Sequence, residues 1–95
     1  MTGRFSKPRP NLIESEDGFS VEVLGRTGLR YAERGRALFV DSEVLAVPGV
    51  VIYAKSMRGW DSPNQNETLI DSERDRIISN IRDAFASQGE TLEVI

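Results

Sequence analysis

Neither cysteine nor histidine occurs anywhere in the chain. Without cysteine there are no disulfides, no thiolate nucleophile and no thiolate metal site. Without histidine the commonest general base, metal ligand and member of catalytic triads is missing. No apolar run approaches the roughly 18 residues that a bilayer-spanning helix needs. The opening Met1-Thr-Gly-Arg-Phe-Ser-Lys-Pro-Arg-Pro10 lacks the apolar centre of a secretion signal. The cytoplasm is therefore the expected compartment, with no membrane partner. The phosphate-cradling Gly-x-x-x-x-Gly-Lys-Ser/Thr pattern is also missing, and the glycines are scattered among turns. These absences point away from an enzyme and predict no cofactor and no metal.

What remains has the composition of one small globular domain: 95 residues, 39% hydrophobic and 28% charged. A chain of this length has one core and no deep enclosed cavity, so a functional site should be a surface or a shallow cleft. The net charge of −3 hides a gradient. Arg4, Lys7 and Arg9 make the first ten residues +3, whereas the segment from Asp61 onward carries eight acids against Arg74, Arg76 and Arg82. An acidic domain repels phosphate backbones, so nucleic acid is disfavoured and a basic protein partner fits better, although the same charge also serves solubility.

Residues 1–10, with two prolines and little apolar content, read as a flexible basic tail before a single domain over 11–95. Leu12 to Ser15, then Phe19, Val21 and Val23 in alternation, then Leu29 to Glu33, read as strands separated by turns at Glu16-Asp17-Gly18 and Gly25 to Gly28. Arg36 to Leu45 reads as a longer strand, bent or interrupted at Asp41-Ser42-Glu43. After Pro48-Gly49, Val50-Val-Ile-Tyr53 is the most strand-like stretch and should be central. Ile77, Ile78, Ile81, Ala84 and Phe85 share one face at 3.6 residues per turn and predict a helix over about 71–88, capped by Asp71 or Ser72 and closed at Gly89. Thr91 to Ile95 alternates as a last strand. The expected fold is α+β: an antiparallel meander of about five strands, one C-terminal helix packed on the sheet, and a short final strand.

Two segments stand out as candidate sites. Asp41 and Glu43, two apart, point to the same side of an extended backbone. They suit a solvated turn, an anchor for a basic partner, or carboxylate chemistry. Tyr53, Met57, Arg58 and Trp60 lie close together, with Asp61 beside them, in a stretch rich in the residue types that dominate binding surfaces. The single tryptophan reads more readily as a lid on the core, because of the large area it buries, than as an exposed contact.

Taken together, Arg36 to Leu45, Val50 to Tyr53 with Ser56-Met57 and Trp60, Glu73-Arg-Asp-Arg-Ile-Ile-Ser-Asn-Ile81, and the Gly89 to Ile95 tail resemble the immunity protein 74 family of bacterial polymorphic toxin systems. The resemblance spans about residues 20–95 and carries no site residues across. It implies a cytoplasmic antidote that binds and blocks a cognate toxin domain. For a nuclease toxin, Asp41, Glu43, Asp61 or acids on the exposed helix face would occupy its basic active site as phosphate mimics. The rival expectation is a structural or regulatory module forming a homodimer through a sheet edge or the Trp60 region.

Overall fold

Alternation of apolar and polar residues places Val21, Leu29, Tyr31, Leu38 and Val40 on one side of a sheet, all fully buried. The computed structural model describes residues 4–46 and 48–95; the first three residues of the expected tail and Val47 lie outside the described ones. Its strands are β1 (Phe5–Arg9), β2 (Leu12–Ser15), β3 (Phe19–Val23), β4 (Thr27–Glu33), β5 (Arg36–Val44), β6 (Gly49–Ile52) and β7 (Thr91–Val94). They form one sheet in chain order, antiparallel from β1 to β6, with β7 parallel to β6. The turn between β4 and β5 uses Arg34 and Gly35, both at positive φ, the pairing that matches a tight hairpin to strand twist.

The expected meander is present, with two differences. Part of the expected tail is the edge strand β1, whose Phe5 meets Phe19 edge-on at 5.9 Å. Pro8 is tolerated there because an edge strand has one row of backbone groups that needs no ladder partner. The last strand is parallel to its neighbour because helix α1 (Asp71–Ala86), about 24 Å long, carries the chain back to the end from which β6 started.

Helix α1 buries Ile77, Ile81, Ala84 and Phe85 against the sheet, touching β7 on one side and β2 and β3 on the other. Its N-cap is Ile70, without a side-chain bond, instead of Asp71 or Ser72. Asp71 is engaged otherwise, accepting from Arg74 Nη1 at 2.8 Å. Gly89 takes the left-handed conformation expected after the helix, at φ 75°.

One buried acid ties helix to sheet. Glu33, 5% exposed, accepts from Arg76 Nη1 at 2.6 Å and Nη2 at 3.0 Å, from Tyr31 Oη at 2.7 Å and from Arg36 Nη2 at 3.4 Å. Asn80 on the helix donates to Tyr31 Oη at 2.9 Å. Burial alone would raise the Glu33 pKa, but the Arg76 and Tyr31 bonds and the two guanidinium charges outweigh it and hold the carboxyl below its ordinary value. Tyr31 is shifted the other way, upward, by burial first and by its bond to Glu33 second.

Candidate functional site

Helix α1 covers one face of the sheet; the alternate side chains of the same strands face away from it. The register places Glu14 and Ser20, then Glu22, Arg30 and Phe39, then Glu43, Val51 and Glu93 on this second face. Val51 is buried yet stands outside the main core cluster, as expected of a residue shielded by its neighbours on the far face.

An extra residue in β5 sets the geometry. Between the pairs Leu29↔Val40 and Thr27↔Glu43, β4 advances two residues and β5 three. Backbone groups at the irregularity find side-chain partners. Gly28 N–H donates to the buried Ser42 Oγ at 2.9 Å, and Asp41 N–H donates to Ser56 Oγ at 2.8 Å. Ser56 Oγ in turn donates to the Tyr53 carbonyl at 2.6 Å, and Tyr53 N–H donates to the Asp41 carbonyl at 3.0 Å. The 3-10 turn Ala54–Ser56 thus clamps the bent strand, with Ser42 inside and Asp41 and Glu43 exposed on either side of it.

The charge on this face is uneven. Toward β2, Glu22 is matched by Arg9 at 3.3 Å and Arg30 at 3.8 Å. Toward β7, Asp41, Glu43 and Glu93 have no cation within 4.0 Å among the described residues. The field of Glu43 and Asp41 is felt by Tyr53, whose hydroxyl lies 3.5 Å from Glu43 Oε2. Its pKa is raised, chiefly by the Glu43 charge, then by desolvation, the Glu43 hydrogen bond and the Asp41 charge. No group of three carboxylates able to hold a metal ion occurs among the described residues.

The sequence candidates are therefore distributed. Asp41, Glu43 and Tyr53 come together on the open face. Met57 and Trp60, 1% and 3% exposed, lie in the core. Trp60 is covered by the Arg36 guanidinium at 4.1 Å from its ring centroid, and its Nε1 has no protein partner. The core-lid alternative describes this tryptophan: burying its large ring contributes more to a small domain than exposing it. Arg58 lines a cleft of about 420 Å³ between the 3-10 turn and α1, together with Lys55 and Arg74. Asp61 is half-buried at the entrance to the following loop, its N–H donating to the Ala37 carbonyl at 2.7 Å.

Two residues of the face escaped the sequence reading. Phe39 sits in the apolar run Leu38-Phe39-Val40, and only its parity, opposite to Leu38, Val40 and Ser42, marks it as outward. Glu93 is visible as outward only once β7 is known to pair with β6, opposite Val51.

No helix of the described residues is long and apolar enough to cross a membrane. Neither the curated proteins nor the solved structures searched gave a match. The family model described as Immunity protein 74 matches residues 20–95, from within β3 to beyond β7. The chain belongs to the immunity protein 74 family.

Proposed function

We propose that the chain is a cytoplasmic antidote that neutralises a cognate polymorphic toxin domain by covering it with the open face of the sheet, and that the covered surface is basic. Family membership supports the antidote role. The observation that carries the location is that the β5–β7 end of the open face holds Asp41, Glu43 and Glu93 with no cation within 4.0 Å among the described residues and the half-exposed Phe39 two residues from Asp41, whereas Glu22 on the same face is paired with Arg9 and Arg30. Holding unmatched like charges together on a folded surface is unfavourable, and a cationic partner relieves it. A toxin that cleaves nucleic acid offers such a surface, because its own substrate is a polyanion. Blocking is then steric and electrostatic occupation and requires no reaction.

Co-expression tests this reading. The C-terminal domain of a polymorphic toxin identified as its cognate by gene neighbourhood is produced with the wild-type chain or with the triple variant Asp41→Lys, Glu43→Lys, Glu93→Lys. Wild type restores growth and the triple variant, equally folded by urea denaturation, does not. Undiminished protection by the triple variant would remove the open face from the mechanism. A rate of association that falls steeply with salt accompanies the expected result.

A further inference from the structure

Phe39 is 47% exposed in the middle of β5, on a face where an antiparallel sheet open to water ordinarily presents polar side chains. Its ring lies close over Gly28. A Cβ built on Gly28 would lie 2.8 Å from Phe39 Cε1 and 3.2 Å from Cζ, so only glycine leaves room for the ring there. Gly28 is also at φ 93°, a conformation that side-chain-bearing residues rarely adopt. Leu24, 41% exposed, approaches the same point with its Cδ1 at 3.8 Å and extends the apolar surface. The ring stands at a boundary: across the strand is Arg30, within the charge-balanced half, and two residues on is Asp41, within the uncompensated half.

A large aromatic fixed before contact loses little rotamer freedom on binding, and rigid, centrally placed anchors dominate interface energetics. We infer that Phe39, seated on Gly28, is the anchor with which the open face grips the toxin domain, and that the surface it enters is an apolar recess bordered by cations that meet Asp41, Glu43 and Glu93. The inference rests on the open face being the docking surface, as proposed above. A second copy of this chain is the poorer occupant. Apposing two such faces brings both sets of three unmatched carboxylates together with no cation to separate them.

The test is the kinetics of binding to the toxin C-terminal domain by the wild-type chain, by Phe39→Ala and by the triple lysine variant, at low and high salt. Phe39→Ala should dissociate about 30-fold faster, with its association rate and salt dependence near wild type. Phe39→Leu should recover part of the loss. Because the side chain is half exposed, the urea midpoint of Phe39→Ala should stay close to wild type, which separates a lost anchor from a lost fold. Wild-type dissociation by Phe39→Ala, alongside failure of the triple lysine variant, overturns the anchor and leaves the acidic face as the docking surface. Wild-type behaviour by both overturns the face as well. Light scattering on the free chain should show a monomer; a dimer abolished by Phe39→Ala would assign the face to a second copy and refute the inference.

Discussion

Glu33 and Glu43 are the same residue type on neighbouring strands of one sheet, and the protein treats them in opposite ways. Glu33 lies on the covered side, where two arginines and a tyrosine saturate its oxygens. Glu43 lies on the open side, with a long contact to Tyr53 and no cation among the described residues. A carboxylate taken out of water has to be paired or protonated, so the buried position requires its arginines. Water solvates the exposed one adequately, and it keeps its charge available. The covered side uses acid to hold the fold; on the proposed reading, the acid of the open side is what meets the partner.

Reversing the open side should have the largest effect. Asp41→Lys, Glu43→Lys and Glu93→Lys together place like charges against a basic partner and should weaken toxin binding about a thousandfold, read by titration calorimetry, with unfolding stability little changed. Glu33→Ala should do the reverse. It strands Arg76 and Tyr31 without their acceptor and should lower unfolding stability by about 3 kcal/mol in urea, while the folded fraction binds as wild type.

The pH dependence of stability separates the same two roles. Glu33 has a folded pKa below its unfolded value, so its contribution is complete above the ordinary carboxylate range and is lost as pH falls through the folded pKa. Urea midpoints of wild type should therefore fall on acidification more than those of Glu33→Gln.

Smaller effects fall where the two sides meet. Ser42→Ala leaves the Gly28 N–H without its buried acceptor and should cost about 1 to 2 kcal/mol of stability, with a loosened Asp41–Glu43 segment. Glu43→Gln should barely change stability. It should bring the Tyr53 titration, followed by ultraviolet absorbance, down toward the ordinary tyrosine value, because the Glu43 charge is the leading cause of the shift.

Much of this division is readable in the sequence, and the unreadable parts have specific reasons. The alternation in β3 and β4, the 3.6-residue period of α1 and the two-residue spacing of Asp41 and Glu43 are local patterns, so the elements and part of the open face follow from them. β1 is hidden because its proline and charges resemble a tail, and its partner is reached only through a turn. The bond between Glu33 and Arg76 joins residues 43 apart, and no local pattern announces it. Trp60 reads from the sequence first as a core lid and second as a contact residue, and its burial in the folded chain, with the Arg36 guanidinium over its ring, agrees with the first.

Because the chain has no cysteine, a single introduced thiol reports on one position alone. Glu43→Cys lies on the open face and Asp75→Cys on the exposed side of α1, so maleimide labelling of each, with and without saturating toxin domain, compares the two surfaces directly. Docking through the open face predicts that toxin blocks labelling at position 43 and leaves position 75 unchanged. Blocked labelling at 75 with free labelling at 43 would contradict it.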